Sequence, residues 1–230
     1  MIRKISAILI CLAIVFSFVA CNNSVKFIET ENKAIVANDG TEYTFVCNEG
    51  KVWCFGKREF IGRVAGEKPL FIDFLKIYKT GIYSVNGSQD VLVRYLPNNE
   101  FSSIYVKSGL LKAEISLENC IRFEFAKDLL SENTEFSRNI EAITDCEQFL
   151  TDIRNGQTAK DAGLYELIKQ PDGMLKNCYV YGYLCGVVQE DINLYIPMQI
   201  SSFDDKAYSI TIDAVEYVLP EEWVNKLIVE

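Results

Sequence analysis

The chain has 230 residues, 49% of them hydrophobic and 24% charged, the balance of a globular protein with room for one or two domains. Its 23 Lys and Arg against 32 Asp and Glu give a formal charge of -9, which argues against nucleic acid and anionic lipid headgroups as direct partners of the folded part. Histidine is absent, so Ser-His-Asp triads, Cys-His dyads, zinc-histidine sites and His general bases are excluded together.

In chain order, the first signal is Met1-Ile2-Arg3-Lys4, a short basic region, followed by an apolar run from Ile5 to Ala20 in which Ser6 and Ser17 are the only polar residues. This is the layout of an export signal over residues 1–20. As a helix, its 16 apolar-run residues would span about 24 Å, short of the roughly 30 Å hydrocarbon core. The end of the run, Phe18-Val19-Ala20-Cys21, resembles the lipobox of bacterial lipoproteins. Small Ala20 and the polar Asn22-Asn23-Ser24 fit that pattern, and Phe18 departs from the usual Leu. The resemblance covers only the first 21 residues. It implies cleavage before Cys21, a diacylglycerol on its sulfur, and anchoring by lipid to the extracytoplasmic face of a bacterial membrane. Two or more acyl chains hold a protein stably at a bilayer. Residues 21–26 then form a short tether, and loss of Arg3 and Lys4 takes the charge to 21 minus 32, or -11.

From Val25 to about Phe125 the chain reads as successive strands, at 33–36, 42–46, 52–55, 59–64, 70–78, 91–96, 104–106, 111–115 and 121–125. Asn38-Asp39-Gly40, Asn48-Glu49-Gly50 and Asn86-Gly87-Ser88 supply the positive-φ residues that tight antiparallel turns need. Alternation in Arg122-Phe123-Glu124-Phe125 and Tyr43-Thr44-Phe45 puts one face in a core and the other in water. A linker is expected at 127–143, where Ser131 to Glu135 is polar. Thr144, with Glu147 three residues on, reads as the cap of a helix burying Phe149, Leu150 and Ile153 and stopping at Gly156. A second helix, about 160–169, buries Leu164, Leu167 and Ile168. Strands return at 178–188, 194–200 and 208–219, and Pro220-Glu221-Glu222-Trp223 opens a last helix, its acids facing the positive end of the dipole.

A faint duplication at an offset of about 124 residues aligns Cys54, Gly62, Val64, Leu70 and Ile72 with Cys178, Gly186, Val188, Leu194 and Ile196. The prediction is a strand-rich α+β fold of antiparallel sheets with a few short helices. It is arranged as two related modules, a mainly β one at 27–126 and an α+β one at 144–230. A single sheet built from both copies is the alternative.

Apart from Cys11 in the signal and Cys21 in the lipobox-like segment there are six cysteines: Cys47, Cys54, Cys120, Cys146, Cys178 and Cys185. An even number in an exported domain is compatible with disulfides, and buried reduced thiols are the competing reading. If residues 48–51 form a tight hairpin turn, Cys54 is a diagonal neighbour of Cys47 at about 7 Å, too far for a relaxed bridge. If 178–185 is one strand, its two sulfurs lie about 23 Å apart; a wider loop at 48–53 or a turn at Gly182 would rescue either pair.

The sequence carries no metal-binding spacing, phosphate loop, dinucleotide motif or Gly-x-Ser-x-Gly, so neither a metal nor a cofactor is expected. Asp204-Asp205 reads as a turn and Glu221-Glu222 as a helix start. Tyr179, Tyr181 and Tyr183 alternate, so a regular strand would align them on one face with Tyr195 beside them. Such a row suits peptide or glycan binding, while packing beneath the helices at 145–169 is the competing role. Trp53 and Trp223 read as core residues. The composite expectation is a lipid-anchored, non-enzymatic module. It would bind another envelope or secreted protein through a sheet face or edge, with no nucleic acid partner. A His-free, carboxylate-dependent envelope hydrolase or a glycan-binding protein is the alternative.

Overall fold

The computed structural model describes residues 24–68, 79–96, 102–129, 134–169 and 177–228. The export signal, Cys21 and the strand expected at 70–78 lie outside the described residues. The remainder is strand-rich α+β, with two sheets and few short helices.

Seven strands form a closed barrel: β1 (Val25–Glu29), β2 (Ile35–Ala37), β3 (Glu42–Asn48), β4 (Arg58–Val64), β5 (Gly81–Val85), β6 (Ser88–Tyr95) and β7 (Ser103–Lys107). Their order around the wall is β1-β2-β3-β7-β6-β5-β4. Every neighbouring pair is antiparallel except the closing seam, where β1 runs parallel to β4 with Val25 opposite Gly62 and Lys26 opposite Arg63. Gly62 is needed there, since a Cβ would stand 1.9 Å from the Val25 carbonyl oxygen. As the turn chemistry predicts, Asn86 (φ 52°) and Gly87 (φ 73°) join β5 to β6.

Period-2 alternation separates the two sides of the wall. Phe27, Ile35, Tyr43, Ile82, Leu92 and Tyr105 fill the interior. Arg94 stands opposite Ile82 and Ser103 on the same face. Its guanidinium is satisfied by Glu67 at 2.7 Å, Glu29 at 3.0 Å and the Tyr105 hydroxyl at 3.2 Å. A buried cation persists only with such partners. On the outer side of β5, β6 and β7, Val85, Val91, Val93, Ile104 and Val106 are also buried, covered by Val52 and Cys54 and by Ile192 and Leu194 from the second sheet's β9–β10 connection.

The second sheet contains β8 (Arg122–Ala126), β9 (Cys178–Val187), β10 (Tyr195–Phe203), β11 (Ala207–Ile212) and β12 (Val215–Val218), in the order β12-β11-β10-β9-β8 and antiparallel throughout. One face packs against α1 (Cys146–Arg154) and α3 (Glu221–Leu227). Phe123, Phe149, Leu184, Met198, Ile200 and Trp223 make its centre, with the Trp223 ring edge-on to Phe149 at 4.9 Å. A single helical turn, α2 (Leu164–Leu167), covers Phe203.

Several expectations are corrected. The strand at 111–115 is absent; Leu110, Leu111 and Ile115 pack as an irregular segment before a 3-10 turn at Leu117–Asn119. The strand expected at 208–219 is two strands, because Asp213 (φ 48°) and Ala214 (φ 64°) adopt the left-handed turn conformation. The cap of α1 is Asp145, which accepts from the Gln148 N–H at 3.1 Å, in place of Thr144. Leu167 is 59% exposed where burial was expected. Val25 and Lys26, assigned to the tether, already belong to β1. β8 belongs to the second sheet, so the sheets divide between Lys107 and Arg122. Residues in the expected linker are used structurally: Phe136 and Ile143 bridge to Ala126 and Phe123 along the outer side of β8. The two duplicated segments pair differently, β4 with β1 and β5, β9 with β8 and β10.

Candidate functional site

A β-bulge decides where the tyrosines go. In the β9–β10 ladder Val180 faces Ser201 and Gly182 faces Ile200, which leaves Tyr181 unmatched and shifts the alternation by one residue. Tyr179 therefore shares the helix-covered face with Ser202 and Tyr208, whereas Tyr183 pairs with Gln199 on the opposite face. Tyr181 packs onto the helix-side core, its ring 6.0 Å from Phe125 and 5.6 Å from Tyr208, with Lys127 Nζ 3.8 Å above it. Tyr179 is exposed and donates to Asp205. Tyr195 lies with Tyr183 and meets Phe55 and Phe136, each at 5.0 Å. The four rings thus divide between two faces.

The face that holds Tyr183 looks onto the barrel. After β3, residues 48–53 do not form a hairpin. Instead Trp53 exchanges both backbone hydrogen bonds with Tyr195, at 2.8 and 2.9 Å, and ties the barrel to the first residue of β10. Two adjoining hollows flank this tie, of about 480 and about 750 Å³, sharing Gly50, Pro197, Thr211, Asp213 and Ala214. The smaller is lined further by Trp53, Asp128, Leu129, Tyr183 and Gln199. The larger adds Cys47, Lys51 and Val52 from the barrel, residues 115–118, and Ile196 and Met198. A concave, mixed apolar and polar cleft between two substructures is the usual form of a ligand site.

Its charges are arranged around Arg154, at the end of α1. Arg154 Nη2 reaches Glu118 at 2.8 Å and Asp213 at 3.0 Å, so two rim carboxylates share one guanidinium. A bond to its own backbone N–H, and then Arg154, hold the Glu118 carboxyl below the ordinary carboxylate range. A carboxyl held ionised is poorly suited to deliver a proton as a general acid. Asp204 is likewise held low by Lys206 and then Asn177, and both Asp204 and Asp205 occupy left-handed turn positions. The acidic pair is a turn.

All six described cysteines are free thiols. Cys178 and Cys185 lie in one continuous strand. Burial pushes the thiols of Cys54, Cys120 and Cys185 up to about 12 and that of Cys47, on the cleft wall, up to about 11. None is an activated nucleophile at neutral pH. No group of three or more Cys, Asp or Glu capable of holding a metal occurs among the described residues, and no described helix is long and apolar enough to cross a membrane.

The sequence reading missed Trp53, Asp128, Gln199, Glu118 and Asp213 as cleft residues. Trp53 reads from the sequence as a core residue, and its cleft partners come from distant chain segments that no local spacing connects. Trp223, by contrast, is buried on Phe149 as expected. Neither a protein-family model, a curated protein nor a solved structure matches the chain.

Proposed function

We propose that this is an exported protein, anchored by lipid at Cys21 to the extracytoplasmic face of a bacterial membrane. There it acts as a non-enzymatic binding module for another envelope or secreted protein. The basic, apolar and small residues from Met1 to Cys21 support the anchor. The cleft between barrel and sheet supports the binding role and is the observation that carries it. Trp53 and Tyr183 offer rigid amphipathic rings beside the side-chain amide of Gln199 and the carboxylate of Asp128, a lining that holds an extended ligand at low entropic cost. The Arg154 bond to Glu118 counts against that carboxyl as a proton donor, which supports binding over proton transfer. The outer strands of the five-stranded sheet are bridged, β8 by Phe136 and Ile143 and β12 by Thr158, which favours the face over these edges.

The experiment immobilises residues 24–230 through the N-terminus and presents surface and secreted extracts and purified cell-wall glycan. A protein retained near stoichiometrically, and lost with Tyr183→Ser or Gln199→Ala but not with Tyr179→Ser, supports the reading. Retention indifferent to Tyr183 and Gln199 overturns the cleft. Retention on glycan alone moves the site to the glycan-binding alternative.

A further inference from the structure

The seam that closes the barrel is also the part of the fold nearest the anchor. Cys21 precedes Val25 by four Cα steps, at most about 14 Å of extended chain. A lipid on Cys21 therefore keeps β1 within reach of the headgroups. Lys26 stands beside Arg63 across the seam. Two positions along the same side of β1, Ile28 is 64% exposed. On β4 the Arg63 guanidinium lies 4.7 Å from the centroid of Phe60, which is 41% exposed. An apolar, cationic, apolar strip thus runs along the outside of the seam.

Acids close to the strip are each paired with a cation: Glu67 with Arg94 inside the barrel, Glu29 with the same guanidinium from the exposed end of β1, and Glu59 with Lys57 on the surface. Glu42 stands beyond Val36, two strands from β1, and Glu31 is exposed in the β1–β2 turn. In the circular strand order β6 and β7 lie three places from β1, and it is the β5–β7 wall that the second sheet covers. β4 adjoins β5, so the seam borders the covered wall on that side and faces away from β6 and β7.

We infer that, against the expectation from overall charge, the β1–β4 seam rests on the membrane, Lys26 and Arg63 meeting anionic headgroups while Ile28 and Phe60 enter the interfacial layer. This inference rests on the lipid anchor proposed above. Basic residues beside apolar ones are the chemistry of interfacial attachment. The anchored chain, having lost Arg3 and Lys4, carries 21 minus 32, or -11, which repels the rest of the body from the same headgroups. The strip thereby sets an orientation, with the second sheet and its cleft directed outward.

The test places photoreactive benzoylphenylalanine at Ile28, Phe60 or, as a control on the second sheet's side, Leu167, in the full-length chain in intact cells. Lipid adducts several-fold more abundant at 28 and 60 than at 167, and reduced by Lys26→Glu with Arg63→Glu, are the expected result. Equal yields at all three positions in chains that remain membrane-bound overturn the inference and leave the anchor standing. Adducts that persist through both charge reversals overturn the headgroup contact. Cys21→Ser, fractionated in parallel, should release the chain; continued membrane attachment overturns the anchor and with it the tether on which the strip depends. Protease resistance of each variant confirms that it has folded.

Discussion

Ala214 carries a side chain at a backbone conformation that favours glycine. Its φ of 64° follows Asp213 at 48°, and a Cβ in the left-handed region costs about 1–2 kcal/mol. Asp213 is better suited to its position, because Asp tolerates this region and its carboxylate is held by Arg154. Ala214→Gly should therefore stabilise the protein by about 1 kcal/mol, seen as a higher denaturation midpoint at unchanged slope. Since Ala214 lines both hollows, ligand retention by the same variant tells whether the strain serves binding. The cysteines offer a second test at this scale. Cys178 is exposed, whereas Cys54, Cys120, Cys146 and Cys185 are buried. Alkylation of the native reduced protein should mark Cys178 first, and those four only on unfolding; mass mapping over time reads the order, and uniform labelling would contradict the packing.

Among the elements, the seam depends on one missing methyl group. A Cβ at residue 62 would meet the Val25 carbonyl oxygen at 1.9 Å and its carbon at 2.8 Å, backbone atoms that cannot yield as a side chain would. Gly62→Ala should cost about 2–3 kcal/mol and speed amide exchange in β1 before other strands. Exchange faster everywhere alike would mean that the barrel opens as a unit.

Elements with a dominant local pattern were legible in advance. Arg122 to Phe125 alternates and does bury Phe123 and Phe125, α1 buries Phe149, Leu150 and Ile153, and Asn86-Gly87 makes its turn. β5 was not, because all five of its residues are buried. With its outer side covered by the rest of the protein, β5 has no wet face to create a period. The tyrosine row failed for a related reason: a single bulged residue reverses faces, and nothing in Tyr179 to Tyr183 shows that Tyr181 is the extra one. The cleft was illegible because it is made by long-range pairing, Trp53 with Tyr195, and by a turn within a stretch that read as one strand.

At the scale of the molecule, Arg154 ties together three places: the 3-10 turn through Glu118, the end of α1, and the β11–β12 turn through Asp213. Because the folded Glu118 carboxyl is depressed below its ordinary value of 4.5, its contribution to stability is complete above the unfolded value. It is lost as pH falls through the lower folded one. Stability measured by denaturant across mildly acidic pH should thus decline below about pH 4.5 more steeply in the native chain than in Glu118→Gln. Identical slopes would show that the clamp contributes nothing.

Closure of the barrel by its first strand also has a mechanical consequence. β1 is held between β2 on one side and β4 on the other, and its hydrogen bonds lie broadly crosswise to the chain. A pull entering at residue 24 runs along β1 and loads both ladders together in shear, where bonds share the force, instead of peeling them one at a time. A load on the N-terminus is therefore borne first by the barrel wall, before it reaches the second sheet through the Trp53 tie, the Phe55 ring on Tyr195 and the valine-rich face.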